Sequence, residues 1–424
     1  MKLTVARAAR FLRWMKLDFS GLEDPRKRRG KRHAHGGMMA LLVGAFATGA
    51  ATLRAAELLC ERMTRRSKRS LGLKGNVSDT ALYELLVRQP SANLPQLLVR
   101  QVKDALAAKT IRNDLFQCGV LAYDGKQTWV GKHDANPACQ SRTKDDGSPY
   151  YQVFTQRACL VSSSARPVVA QQFIPGKTNE MASFAGLFNF TVKHFGSSFD
   201  VVTSDSGATS RENAALVNGA QKGYVFAIKG NQPTVYLAAR GRLGCKDDPG
   251  DSERAGEAVT LDRAQGKDVI REVFRSQVLS PDPEVDFAGV RQLWRVRQTS
   301  ISRDAKGAVR SRCVEDRYFI VNRVFSGERA LKLVRLHWGI ENGANWTLDM
   351  KLLEDNGSPC ARGEGVLVTS WLRMLAYNLA AMFRTRLPKT HGELPSWDRA
   401  FKFLEDALRG LPWAEAEGFE ATPA

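Results

Sequence analysis

Apolar positions along the chain recur with two different periods, and the change between them divides it. Through residues 1–110 the spacing is helical: apolar residues return every three or four positions over 38–63, 79–88 and 94–108, the second stretch introduced by Ser78 in the place of an N-cap. No segment there alternates as a half-buried strand does. From Phe116 the pattern becomes strand-like, at 116–123, 151–162 and 168–174, with Lys144-Asp145-Asp146-Gly147-Ser148 and Ser162-Ser163-Ser164 as loop signals. Residues 180–195 then predict a helix, 201–203 a strand, 211–222 a helix stopped at Gly223, and 224–228 a fifth strand. Three strands, helix, strand, helix, strand is a mixed α/β order.

Between 231 and 312 the chain is rich in Gly, Asp and Arg, with alternating runs at 269–279 and 292–299, which predicts a β-rich insertion. The α/β pattern resumes at Tyr318-Phe319-Ile320-Val321, and helices are predicted over 328–355 and 365–384. The final residues contain Pro388, Pro395 and Pro412 and close on a polar stretch, for which no ordered element is predicted. The expected organisation is a helical N-terminal binding domain (1–110), a first part of an α/β core (111–230), a β-rich insertion (231–312), a second part of the core (313–385) and a tail (386–424). A chain of 424 residues can bury one large core or two to three smaller ones.

Charge narrows the partners. The chain has 63 Lys and Arg against 44 Asp and Glu, a formal net charge of +19 and a pI near 9.8, which points to a polyanion. Residues 1–70 hold 17 Lys and Arg against 5 Asp and Glu, so +12 of the +19 falls in one sixth of the chain. The run Arg26-Lys27-Arg28-Arg29-Gly30-Lys31-Arg32 would ordinarily be a solvated charge block, but it abuts an apolar helical stretch and so predicts a basic face on a folded module. That apolar stretch, 38–51, has 14 residues and contains Gly44 and Gly49, too short for a bilayer; with more than thirty residues ahead of it, it is expected to be a buried helix rather than a signal segment. Seven scattered cysteines without a CxxC pair indicate neither a disulfide framework nor a zinc finger and fit a reducing cytosol.

The candidate chemistry is carried by three carboxylates. Asp124 and Asp205 each close an apolar strand, Val120-Leu121-Ala122-Tyr123 and Phe199-Asp200-Val201-Val202, where a charged group can be both fixed and wet. Glu341 lies in a predicted helix, on a face shared with His337 and Asn345 at spacings of four. Carboxylates on rigid elements suit a hard cation such as Mg²⁺, which takes oxygen ligands in near-octahedral geometry. Taken singly, each aspartate also suits a turn or an N-cap, and the glutamate a solvated helix face.

Read in order, a set of short blocks carries a resemblance. They are Leu22-Glu23-Asp24-Pro25-Arg26 before an Ala/Leu/Gly helix, Tyr123-Asp124-Gly125-Lys126, Lys177-Thr178-Asn179-Glu180, Ser204-Asp205-Ser206-Gly207, Lys229-Gly230-Asn231-Gln232, and His337-Trp338-Gly339-Ile340-Glu341-Asn342 with Asn345-Trp346, Leu348-Asp349 and Glu354-Asp355. Together they resemble bacterial insertion-sequence transposases of the DDE type that carry a β insertion, and most of all the H-repeat-associated family. Two departures stand out: Ala344-Asn345-Trp346 where that family has Leu-His-Trp, and Val334 and Arg335 where related groups place a tyrosine.

The resemblance implies a ribonuclease-H-like core and metal-dependent phosphodiester cleavage and strand transfer at the ends of an insertion sequence. It implies two Mg²⁺ ions, replaceable by Mn²⁺, about 3.5–4 Å apart, with Asp124 bridging them and Asp205 and Glu341 holding one each. Double-stranded DNA, as inverted-repeat ends and as target, would be the partner of a homodimer in the bacterial cytoplasm at the nucleoid. Arg26, Lys27, Arg28, Arg29, Lys126, Lys229 and Arg335 are the expected phosphate contacts, and Trp294 is a candidate for stacking on a flipped base. Two other readings stay open: a catalytically inactive DNA-binding remnant acting as repressor or architectural protein, and a metal nuclease acting on RNA, which the insertion disfavours.

Overall fold

The computed structural model describes residues 17–410 except 28–30, 133, 135, 137, 177–178, 249–255, 265, 280, 305–306 and 356–357. The elements run α1 (His35–Ala47), α2 (Leu53–Arg62), α3 (Arg65–Ser70), α4 (Asp79–Arg88), α5 (Leu94–Ala107), β1 (Val120–Gly131), β2 (Cys139–Thr143), β3 (Pro149–Leu160), β4 (Val168–Ile174), α6 (Glu180–Phe195), β5 (Val201–Ser204), α7 (Arg211–Gly219) and β6 (Gly223–Ile228). They continue with α8 (Pro233–Leu243), β7 (Ala258–Ala264), β8 (Lys267–Gln277), β9 (Gln292–Arg303), β10 (Val309–Val321), α9 (Gly327–Gly339), a π-helical turn (Ile340–Asn345), α10 (Trp346–Met350), α11 (Gly365–Arg384) and α12 (Trp397–Arg409). The chain forms two compact units interleaved in sequence, one of Met1–Leu115, Gly125–Thr178 and Glu341–Ala424, the other of Phe116–Asp124 and Asn179–Ile340. Neither coincides with one of the five segments expected from periodicity, because β1 gives its first half to the second unit and its second half to the first.

The first unit is built around two apolar helices. α1 is buried along nearly all its length, so it needs cover on every side, and α2, α11 and α12 provide it. The single helix expected over 38–63 is broken because Gly49 sits at φ +85°, in the left-handed region. The Thr52 hydroxyl then accepts from Ala55 N at 3.1 Å and starts α2. Among the described residues α11 alone is long and apolar enough to cross a bilayer, and its apolar window is wholly buried in the protein. Its polar residues have partners here: the Asn378 amide accepts from Val168 N at 2.9 Å and donates to Val168 O at 2.8 Å, completing the edge of β4. α12 corrects the expectation of a tail without ordered elements over 386–424. Ser396 caps it, Gly410 ends it at φ +78°, and Ala400, Phe401, Phe403 and Leu404 are buried.

Within this unit Arg157 of β3 makes a two-pronged ion pair with Glu354, at 2.6 and 2.9 Å, with both side chains fully buried. Arg157 Nε also donates to Gln171 of β4 at 3.0 Å, and Gln171 donates to Ser370 of α11 at 3.1 Å. Two strands, α11 and the segment after α10 are therefore tied by one polar network.

In the second unit β1, β5 and β6 are parallel neighbours, and β10, β9, β8 and β7 extend the sheet antiparallel from β6. The β-rich stretch expected as an insertion adds strands to that sheet: β10 is continuous, its last four residues pairing with both β6 and β9 and its remainder with β9. The core is aromatic. Phe184 of α6 lies with its ring centroid 5.0 Å from Tyr123, 5.7 Å from Phe188 and 5.9 Å from Phe226. Gly119 lets β1 begin close under the preceding turn of β5, since a Cβ there would lie 2.1 Å from Ser198 O.

Breaking a buried ion pair leaves an uncompensated charge, at a cost of about 3–5 kcal/mol. Glu354→Gln should therefore lower unfolding stability by an amount in that range, while Arg157→Met combined with Glu354→Leu should cost clearly less. Denaturant unfolding checks both, and equal losses in the single and double variants would contradict the assignment.

Candidate active site

The register of β1 on β5 places the two aspartates. Val120 pairs with Val201 and Tyr123 with Ser204, so the next residues, Asp124 and Asp205, leave the parallel ladder at the same level. Asp205 follows the end of β5, but Asp124 does not close a strand as expected, because β1 runs on to Gly131. Neighbouring strands lie about 4.8 Å apart. Both side chains are half-buried, held by the strands and still open to solvent.

The loop after Asp205 is clamped by short polar side chains. Asp205 Oδ1 accepts from Gly207 N at 3.0 Å, and Thr209 Oγ1 donates to Asp205 O at 3.0 Å. Asn231 donates to Ser206 O at 3.1 Å, and Gln232 donates to Thr209 O at 3.0 Å. This explains why Lys229-Gly230-Asn231-Gln232 forms a block: its two amides fix the turn that carries the aspartate. Lys229 itself is exposed.

Glu180 joins this group, and the sequence reading gave it no role. Asn179 caps α6 by accepting from Ala182 N at 3.0 Å, so Glu180 stands in the first turn. A Cβ on Gly207 would lie 2.9 Å from Glu180 Oε2 and 3.3 Å from Asp205 Oδ1. Only glycine lets the two carboxylates approach the same backbone point. Burial, and then the charge of Asp205, raises the Glu180 carboxyl above its ordinary range. The signal was the glutamate directly after an N-cap asparagine in the Lys177-Thr178-Asn179-Glu180 block, of which Lys177 and Thr178 lie outside the described residues.

Glu341 belongs to the first unit and is exposed. It is the second residue of the π-helical turn, whose i to i+5 bonding breaks the 3.6 period. The face expected to join Glu341 with His337 and Asn345 is therefore absent, and both of those residues are buried. Asn345 accepts from Arg157 at 3.4 Å. His337 is 3.0 Å from the Thr203 hydroxyl, two residues before Asp205. Among the described residues no three His, Cys, Asp or Glu side chains gather as a metal-binding cluster. Glu180 and Asp205 are the carboxylates that approach one backbone point, Gly207, and Asp124 stands level with Asp205 on the neighbouring strand. All three offer oxygen, the donor type a hard divalent cation takes.

Several expected DNA contacts are occupied within the fold. Arg26 is bound to Asp24 at 2.9 Å and donates to His33 O at 2.9 Å, so it braces the N-terminal segment. Lys27 is exposed, while Arg28 and Arg29 lie outside the described residues. Lys126 is largely buried between Asp349 and Asp355. Burial pushes the Asp349 carboxyl up to about 6 against the pull of Lys126. Arg335 is exposed and paired with Asp262 at 3.1 Å. Trp294 is 0% exposed, donates to Gln292 at 3.0 Å and stands edge-on to Phe325. It has no face free for a base, because its strand position points into the core.

Burial depresses the His337 imidazole to about 4 from 6.5, with Asp205 opposing and Arg317 assisting the shift. The unfolded chain therefore takes up this proton first on acidification. The stability contributed by neutral His337 is complete above pH 6.5 and lost as pH falls toward 4. His337→Gln should flatten the fall in melting temperature over that window relative to the native chain; identical acid dependence in both would contradict it.

The family described as Transposase DDE domain matches residues 119–379, which include both aspartates, Glu180 and Glu341. "Putative transposase YncI" of Escherichia coli O157:H7 is 25% identical over 219 residues, 50% of this chain and 52% of that protein. "H repeat-associated putative transposase YhhI" of Escherichia coli (strain K12) is 25% identical over 218 residues, 50% of this chain and 54% of that protein. The chain thus spans about half the length of the curated relatives it matches. A cryo-EM structure of a piggyBac transposase synaptic complex with hairpin DNA aligns at a TM-score of 0.44 and 10% identity, over 99% of this chain and 83% of that one. The resemblance drawn from the sequence blocks is borne out by the family match and by the H-repeat relative. The chain belongs to the transposase DDE domain family.

Proposed function

We propose that this protein is a DNA transposase that cleaves phosphodiester bonds at the ends of an insertion sequence and joins them to target DNA, on a ribonuclease-H-like core. The observation that carries the reading is the pair Asp124 and Asp205, level with one another where the parallel pairing of β1 and β5 stops, inside the segment that matches the family. The order β1, β3, β4, α6, β5, α7, β6 supports the core assignment.

Asp124 and Asp205 would hold divalent cations, Mg²⁺ or Mn²⁺, and Glu341 is the further carboxylate that the family resemblance implies for the reaction. When bound, such ions activate water or a 3′-hydroxyl and offset charge on the leaving oxygen of an in-line displacement. The chain's own residues prepare that position. β1 and the end of β5 fix the aspartate backbones, the Asn231 and Gln232 amides lock the loop behind Asp205, and Glu180 adds negative charge that a cation would offset. The partner is duplex DNA, in keeping with the net charge of +19.

Asp124→Asn, Asp205→Asn and Glu341→Gln should each abolish Mg²⁺-dependent cleavage of cognate ends while leaving duplex binding within a few-fold of native. Normal cleavage by any one purified variant removes that residue from the site. A native chain that binds ends without cleaving them would favour the inactive-remnant reading.

The N-terminal charge divides by structure. Neutralising Lys27, Arg28 and Arg29 should weaken binding to all duplexes alike and flatten its salt dependence. Arg26→Gln should instead lower thermal stability and leave the salt slope unchanged. Filter binding across a salt series with parallel melting curves checks both, and a changed slope in Arg26→Gln would contradict its bracing role.

A further inference from the structure

We propose that Arg271, Arg317 and Arg335, arranged around Trp338, form a phosphate-binding patch for the DNA backbone on the β-rich extension of the second unit. The inference rests on the transposase reading above and gives its DNA a specific seat.

The sheet register brings these residues to one face. Glu315 and Gln298 are cross-strand partners, as are Gln298 and Arg271, and then Arg271 and Thr260. Arg317 and Asp262, each two residues further along its strand, share that face. α9 packs over it. Trp338 meets two guanidinium groups, Arg317 at 4.6 Å and Arg271 at 5.3 Å from its ring centroid. Asp262 binds Arg271 at 2.8 Å and Arg335 at 3.1 Å.

The charges do not balance. Two arginines, Arg271 and Arg335, share the carboxylate of Asp262, and the third, Arg317, is paired with Glu315 at 3.6 Å, with both side chains well exposed. Burial, followed by repulsion from Arg335 and Arg317, lowers the Arg271 pKa, while Asp262 opposes the shift. The fold thus holds like charges together at a cost that an anion would relieve. Planar guanidinium groups oriented by an aromatic ring are suited to bidentate phosphate binding. Arg317 and Arg335 keep nearly half of their side chains exposed, and Trp338 is half-buried, so the patch is open to a strand. The patch also lies directly before the glutamate in sequence, since Trp338 precedes Glu341 by three residues.

The test measures binding of the full chain to a short random duplex, and to the duplex flanking its coding region, across a salt series. Each lost phosphate contact reduces the slope of log K against log salt by about 0.9. Arg271→Gln with Arg317→Gln should therefore flatten the slope by about 1.8 and weaken both duplexes equally. Arg271→Lys with Arg317→Lys should restore the slope. Arg88→Gln, at an exposed position of α4, serves as the charge-loss control and should leave the slope unchanged. Because Arg271 is mostly covered, Arg317→Gln alone is the variant least able to disturb folding, and it should lose about half of the effect. A steep native slope that persists in a folded double glutamine variant, or that in the lysine variant stays as flat as in the glutamine one, overturns the patch and leaves the transposase reading standing. A native chain that binds neither duplex overturns both.

Discussion

The parallel pairing of β1 with β5 is the constraint on which the candidate chemistry depends. Side chains alternate along a strand, so a one-residue slip in that register would turn one aspartate to the opposite face of the sheet. The register Tyr123 to Ser204 prevents this, and what lies around the pair can be understood as holding it. Gly119 lets the strands begin close together, and the Tyr123 ring is packed on Phe184. Two carboxylates at the same level on neighbouring strands repel, which favours a splayed loop after Asp205 in the absence of a counter-charge. The chain opposes this with backbone and amide hydrogen bonds at Asp205, Ser206 and Thr209. Placing a cation there would add to a geometry the loops already hold.

Basic residues fall into two classes. Arg157, Arg26 and Lys126 are consumed by internal carboxylates and serve the fold. Arg271, Arg317 and Arg335 are brought together in excess of their partners, an arrangement that costs stability unless something outside the chain answers it. Net charge alone cannot distinguish these cases, because an arginine buried against a glutamate contributes to the count as fully as one facing solvent.

Much of the core was legible from periodicity. β4 and α6 fall where periodicity predicts them, and the apolar run closed by Asp205 marks the end of β5, whereas β1 continues past Asp124 to Gly131. Three features were not visible, each for a physical reason. The π-helical turn at Ile340–Asn345 shifts the helical period within a sequence of ordinary helix formers, so spacing misplaced Glu341 relative to His337 and Asn345. α12 lies between prolines in a polar region, and its Phe401 and Leu404 stripe gains meaning only from the apolar α1 it covers. Trp294 reads equally well as core or as ligand surface on an alternating strand, and only the neighbouring Phe325 and Gln292 decide for the core.

On the proposed function, Asp124 and Asp205 would hold a cation site between them. Titration of the full chain with Mn²⁺, followed by the paramagnetic resonance of the free ion, tests it without any DNA. The account predicts saturable binding by the native chain and loss of that saturable component in the Asp124→Asn, Asp205→Asn double variant, with melting behaviour otherwise close to native. Undiminished saturable binding in a folded double variant would contradict it.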